Sequence, residues 1–333
     1  MIVVTGATGH VGGHVVRTLR ALGLPVRTIV RKGSEYYWLN DTGCEFFFGD
    51  LRDPLSLRRS LTGTEFLISC ANIQRETQAN NHREVTVEGH RALFEAARER
   101  GVTRAVHISC MGADLEPAAF QARSGAEDAL KESGLEYTII RSCIHEKPFL
   151  ELAYTIRDKG SVTLPGSGEN QLSVIPASDL AKLAAASLDS EALTNQTVVV
   201  GGTQTMTARA AVEMACEVIG ETPNIRVLPS PAVSLGSRIG KPFRRFANRL
   251  AEQAVWFTKD LTVDENQTVH AYGLPSMELR EAMRTTSEVM DILRDPVQRE
   301  ANMVHPQFYA TVYQPGTTAN LADLPDGPPP RRD

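Results

Sequence analysis

Short β-branched apolar runs alternate with longer segments of helical periodicity through the first half of the chain. The runs at 2–4, 25–30, 44–48, 65–70, 104–109 and 136–141 are predicted strands. The segments near 11–22, 54–61, 80–100 and 118–133 are predicted helices. Alternation at this spacing predicts a parallel sheet covered on both faces. Helix ends carry their own signals: Asp53-Pro54 supplies an N-cap and a first-turn proline, and Gly101 and Gly134 stand where helices should stop.

After Arg141 the pattern loosens, and residues 160–175 are rich in Gly, Ser and Pro. A helix is predicted over 179–188 with Asp179 as cap, a strand over 197–200, and a helix over 208–220. Residues 222–236 carry three prolines and read as a connection, with further helices over 242–258 and 276–293. From 312 onward, Pro315, Gly316 and Pro328 to Pro330 predict an extended or disordered tail. The expected architecture is an α/β, doubly wound parallel-sheet domain over 1–150, to which the strand near 197–200 returns. A small, mainly helical C-terminal lobe follows over 151–300, and a substrate would sit in the cleft between the two.

Composition narrows the function. A net charge of −5 over 333 residues gives no electrostatic reason to expect nucleic acid. The five cysteines are scattered and form no Cys-x-x-Cys, which suggests neither a disulfide framework nor a zinc site, so no metal is expected. No stretch approaches the ~20 apolar residues of a membrane span. Ile2-Val3-Val4 already reads as a strand, leaving no room for a targeting segment, and a cytoplasmic location is expected.

The chemistry begins at Gly6-x-x-Gly9-x-x-Gly12, directly after a strand and opening a helix. Gly6 would permit the tight turn, Gly9 the approach of a pyrophosphate to helix-terminal N–H groups, and Gly12 close packing of helix on strand. In this setting the pattern predicts a Rossmann domain that binds a dinucleotide, with Thr8, His10 and Val11 of the loop beside the cofactor. Where an NAD site places a carboxylate, the second strand ends in Arg31-Lys32. A basic pair would bind a 2′-phosphate by charge-assisted hydrogen bonds, so NADP(H) is expected over NAD(H), unless both are solvated loop cations.

The chain resembles the NmrA-like, atypical short-chain dehydrogenase/reductase group, with its isoflavone-reductase-like and triphenylmethane-reductase-like members. The resemblance spans about residues 1–290. It rests on Thr5-Gly-Ala-Thr-Gly-His-Val-Gly12, Val30-Arg31, Gly49-Asp50-Leu51, Gly101-Val102-Thr103-Arg104 leading to Ile108-Ser109, the run Ser133 to Arg141, and Asp179-Leu180-Ala181. The resemblance implies that Asp50 and Leu51 flank the adenine and that Cys70, Ala71 and Asn72 line the ribose and pyrophosphate path. It also implies that Ser109, Ser142, Cys143 and Ile144 lie at the nicotinamide end. The group's common Arg-Pro is here Arg141-Ser142.

Catalysis departs from the pattern. The wider superfamily uses a Tyr with a Lys four residues later, and many members of this group use a helix Lys, but residues 111–130 contain neither. Arg123 is the expected replacement. It could hold ribose or substrate but cannot shuttle a proton at neutral pH. His145, beside Glu146, is the candidate proton donor, unless it is solvated or packed. His82 and His90 are expected at the surface or as caps, and His107 as a satisfied histidine. Ser109 has no base beside it, which argues against a hydrolase. Tyr154, Trp256, Phe257 and Tyr272 would either bracket a flat organic substrate or form the lobe's core. The cations of 238–249 are either a solvated helix face or a dock for an anionic partner. Two functions stay open: an NADPH-dependent reductase of a small conjugated molecule (quinone, enone or aromatic metabolite), and a non-redox NADP-binding protein such as a sensor, assembly factor, isomerase or cyclase.

Overall fold

The apolar runs assemble side by side into one sheet. A computed structural model describes residues 1–73, 76–77, 80–115, 118–228 and 254–295. Its strands are β1 (Ile2–Thr5), β2 (Val26–Val30), β3 (Glu45–Phe48), β4 (Phe66–Ser69), β5 (Arg104–Cys110), β6 (Glu136–Ser142), β7 (Val162–Pro165), β8 (Gln171–Leu172), β9 (Gln196–Val200), β10 (Met206–Thr207) and β11 (Ile225–Leu228). Its helices are α1 (His10–Ala21), α2 (Pro54–Ser60), α3 (Gly89–Glu99), α4 (Ala118–Glu132), α5 (Lys147–Lys159), α6 (Ala177–Ala186), α7 (Ala208–Val218) and α8 (Leu279–Arg294).

Seven strands pair in the order β3-β2-β1-β4-β5-β6-β9, every neighbouring pair parallel. The chain crosses from one half to the other between β3 and β4, which opens the ligand crevice of doubly wound sheets at the C-terminal ends of β1 and β4. Both faces of the inner strands are covered, so β1 and β4 are wholly or almost wholly buried. Ile2 and Val4 pack with Val15, Leu19, Leu180 and Leu183 of α1 and α6. Val3 faces the other way, toward Leu57, Leu93, Phe94 and Leu130 of α2, α3 and α4. A second core, with Phe149, Tyr154, Leu164, Val212 and Met283, joins α5, α7 and α8 to the β7–β11 pair.

Several expectations change. The predicted helix over 80–100 begins as a π-helical turn, His82–Glu88, before α3. Helix α5 lies where the pattern seemed loose. Residues 225–228, read as connection, form β11 beside β7. Helix α6 packs with the large sheet rather than with the lobe, while β9 joins that sheet as expected. Of the segment 242–258, only 254–258 falls among the described residues, and it is helical. The tail from 312 lies outside them. Among the described residues, no helix is long and apolar enough to cross a membrane.

Asp179 is not a cap. It lies inside α6, wholly buried, and accepts from the Met277 N–H, the Ser276 hydroxyl and Lys182. It therefore fastens α6 to the segment leading into α8. Asp179→Ala leaves buried donors without an acceptor, and should lower the unfolding free energy by about 3 kcal/mol. Denaturant titration checks this, and a loss of only a few tenths would show the contact to be incidental.

Candidate functional site

The predicted cofactor residues meet at the C-terminal edge of the sheet, because each follows a strand of the same parallel set. The β1–α1 turn is fixed by steric fit. Gly6 has φ of +71°, and a Cβ there would lie 2.5 Å from the Ala71 nitrogen and 2.6 Å from the Cys70 carbonyl. A Cβ on Gly12 would run into the Gly6 carbonyl, and one on Gly13 into the Trp38 ring. Gly13, which the motif reading passed over, thus admits Trp38 against α1. Gly9 differs from these three: a Cβ there would meet only the Gly6 oxygen, at 3.2 Å. Gly9 is also the N-cap of α1 and supplies no side-chain cap, so no cap side chain competes for the first-turn N–H groups. Space and donors together fit an anionic pyrophosphate.

At the far end, Arg31 and Lys32 are exposed after β2. Arg31 reaches Asn80 Oδ1 at 3.5 Å and pairs with no carboxylate among the described residues. Asp50 is clamped by Arg52, through Nε at 2.9 Å and Nη2 at 2.7 Å, which holds its carboxyl below the usual range. Leu51 is buried against Gly89. Cys70 donates its backbone N–H to Thr5, and burial pushes its thiol up to about 12. Ala71 lies against Gly6, and Asn72 is exposed, with its Oδ1 accepting from the Ile73 N–H.

At the expected nicotinamide end the Ser109 hydroxyl donates to Glu127 Oε1 at 2.5 Å. Glu127 is wholly buried and also receives Arg141, through Nε at 3.0 Å and Nη2 at 2.7 Å. The Ser109 proton is therefore committed, and its hydroxyl can only accept from a ligand. The Ser142 hydroxyl donates to the Ser109 carbonyl, and Cys143 Sγ to that of Leu261. Burial pushes the Cys143 thiol up to about 12, and Ile144 is buried beside it. Arg123 stands one turn before Glu127. Its guanidinium lies 5.1 Å from the Phe120 ring centroid and its charge acts on the Cys110 thiol, with no carboxylate in ion-pair reach among the described residues.

The histidines differ most from expectation. His10 turns to Glu146, its Nε2 2.6 Å from Oε1. Glu146 is also held by the Thr286 hydroxyl and the Ala177 N–H, each at 3.0 Å. The rings of His14 and His145 stand 4.9 and 5.1 Å from that of His10. Burial drives all three imidazoles down to about 3, with the Lys147 charge adding to the effect at His10. His145 is thus neutral near pH 7 and does not supply the near-neutral titration expected of a proton donor. His82 and His90 are buried rather than at the surface. His90 Nε2 lies 3.0 Å from Ser69 Oγ and its Nδ1 2.7 Å from the Thr86 carbonyl, and burial lowers it to about 4. His107 is a core residue, but its Nδ1 has no hydrogen-bond partner. Tyr154 and Phe257 belong to the lobe's core, the Tyr154 hydroxyl donating to Asp291 at 2.7 Å. The Trp256 ring stands 5.7 Å from that of Phe120. The basic run 238–249 lies outside the described residues.

The sheet order and the glycine turn define an α/β dinucleotide-binding protein. The family described as NAD(P)H-binding matches residues 6–191, more than half of the chain, and the chain belongs to it. This agrees with the NmrA-like, atypical short-chain dehydrogenase/reductase group that the motifs resemble. The NAD(P)H azoreductase of Xenophilus azovorans is 30% identical over 208 residues, 62% of this chain and 69% of that protein. The photosystem II assembly factor Ycf39 of Cyanophora paradoxa is 25% identical over 256 residues, 75% and 79% of the two chains. In fold, the chain is similar to the NADPH-dependent quinone oxidoreductase QOR2 of Escherichia coli. That match has a TM-score of 0.67 at 21% identity, covering 86% of this chain and 100% of that one. The triphenylmethane reductase of a Citrobacter species gives a TM-score of 0.65 at 20% identity, covering 86% and 99%.

Two outcomes follow from this geometry. Gly9→Val should remove NADPH binding in calorimetry while leaving the circular dichroism unchanged, since the side chain enters the pyrophosphate space and little else. Unaltered affinity would make the loop merely structural. The buried imidazoles also set an acid limit. Unfolded, they take up protons below the ordinary 6.5, whereas folded they stay neutral down to about 3. Stability is therefore full above about 6.5 and is lost as pH falls from there toward about 3, by roughly 1.4 kcal/mol per unit for each histidine. Thermal melts from pH 7 to pH 4.5 should show a steep decline, and a flat midpoint would mean the imidazoles are protonated in the fold.

Proposed function

We propose that the protein is an NADPH-dependent reductase of a small conjugated organic acceptor, a quinone, enone or aromatic metabolite, with Arg123 as electrostatic partner of the acceptor. The observation that carries this reading is the guanidinium of Arg123 near the end of β5, beside Cys110 and over Phe120, with no carboxylate in ion-pair reach among the described residues. The glycine turn, the uncapped start of α1 and the exposed Arg31-Lys32 pair are suited to pyrophosphate and 2′-phosphate. When bound, the nicotinamide supplies a hydride. The Arg123 guanidinium attracts the negative charge that the acceptor gains. Water then delivers the proton that completes the reduction, which suits acceptors whose anions are stabilised by conjugation. Glu127 and Arg141 fix Ser109 as a hydrogen-bond acceptor toward whatever lies at the nicotinamide end. The names of the azoreductase, quinone oxidoreductase and triphenylmethane reductase relatives point to acceptors of this kind.

One observation favours the non-redox reading. The histidines lining this edge are held neutral and the Ser109 proton is committed, so among the described residues the cleft offers no side chain that gives up a proton near pH 7. An assembly factor or sensor retaining the cofactor structurally has no need of one, and the Ycf39 relatives carry an assembly name.

The test is NADPH oxidation against quinones, enones, azo dyes and triphenylmethane dyes. Wild type should bind NADPH several-fold tighter than NADH, and Arg31→Ala should erase most of that preference. Arg123→Ala should lower kcat/KM about 100-fold with the pH profile unchanged. Tight NADPH binding without turnover of any acceptor would overturn the reductase reading and leave the non-redox one.

A further inference from the structure

The imidazoles beneath the glycine turn have a geometry that dinucleotide binding does not use. His10 and His14 stand four residues apart on α1 and so project from one face of its first turns. Glu146 reaches them from the segment between β6 and α5. One ligand atom from each of the three, two imidazole nitrogens and a carboxylate oxygen, all lie within 4.8 Å of one another. A third imidazole stands beside the cluster. The His145 ring centroid is 5.1 Å from that of His10, and its Nδ1 is buried with no hydrogen-bond partner. The expectation of no metal rested on cysteine spacing, whereas this cluster is built from residues that only folding brings together.

We propose that His10, His14 and Glu146 form a binding site for a divalent transition-metal ion of the zinc class, with the remaining coordination positions open to solvent. The donor set decides the class. Imidazole nitrogens with one carboxylate suit Zn²⁺, Co²⁺ or Ni²⁺, whereas Mg²⁺ and Ca²⁺ take oxygen ligands. His10 and Glu146 now share a proton at 2.6 Å. A metal takes its place: the proton moves to Nδ1 of the same ring, which stays neutral, and the two ligand atoms open to roughly 3.3 Å, as ~2 Å bonds to one tetrahedral ion require.

The surroundings support the site. Oε2 of Glu146 is held by the Ala177 N–H and Oε1 by the Thr286 hydroxyl, the kind of outer hydrogen bond that orients a metal-binding carboxylate. The two cations bordering the cluster are balanced elsewhere, Arg17 by Asp41 at 2.7 Å and Lys147 by Glu151 at 3.7 Å. The positive end of α1 opposes a cation, and the Glu146 charge offsets it. A metal here would join the first turns of α1 to the segment after β6, bracing the two sides of the cofactor crevice.

The experiment is a titration of the chelator-treated, tag-free full chain with Co²⁺, followed by its visible ligand-field bands. The expected result is saturation at about one equivalent, reversed by Zn²⁺. His14→Gln and Glu146→Gln should each weaken binding at least about tenfold. Absence of saturable bands in wild type overturns the proposal, as do unchanged bands in a His14→Gln protein of wild-type circular dichroism. Should the variants fail to fold, cobalt X-ray absorption on the wild-type complex decides. Two or more imidazole ligands sustain the site, and an all-oxygen ligand set overturns it.

Discussion

The contact on which the crevice depends is the closeness of the β1–α1 turn to the end of β4. Gly6 lies so near the Cys70–Ala71 peptide, and Gly12 so near the Gly6 carbonyl, that no side chain fits at either place. That proximity brings the start of α1 onto the sheet edge beside the crossover point. It also aims the first-turn N–H groups into the space left by Gly9. Trp38, seated against Gly13, closes the other side of the helix. A helix displaced by one methyl group would widen the turn and lose the cradle.

Around this turn, buried charge is compensated and used to tie elements together. Glu127 takes Ser109 and Arg141, linking α4 to β5 and β6. Glu146 takes His10, Ala177 and Thr286, linking α1, α6 and α8 to the segment after β6. Arg104 donates to the carbonyls of Ser187, Leu188 and Ser190 beyond α6. Leaving any of these buried groups without its partner would cost several kcal/mol. Arg123 is placed differently, against a ring and a thiol and without a counter-charge among the described residues, so an incoming anion finds a cation whose charge is not already spent there.

The same burial decides the proton chemistry. Imidazoles that would titrate near neutrality are driven far below it, and the Cys70 and Cys143 thiols far above it. The cleft therefore offers fixed charge and hydrogen-bond acceptors rather than transferable protons. This is consistent with the absence of Tyr and Lys from residues 111–130. An acceptor that needs only an electrostatic partner, or a function that transfers nothing, suits such a cleft.

The sheet and the cofactor turn were legible in the sequence because their causes are local. The β-branched runs, the Asp53-Pro54 helix start and the glycine spacing each act within a few residues, and the strands fall within a residue or so of where the pattern put them. Helix α5 was legible too, from Pro148 in its first turn, the spacing of Phe149, Leu150, Ala153 and Ile156, and Gly160 at its end. That signal was overshadowed by the Gly-rich stretch behind it. Tertiary structure alone decided the rest. His10 and Glu146 are 136 residues apart, Ser109 and Glu127 are 18 apart, and β11 finds β7 across more than sixty residues. No periodicity encodes such pairings, since they depend on which strand ends the sheet order brings together. The histidine pKa values are likewise set by burial, a property of the packed fold and not of the residue.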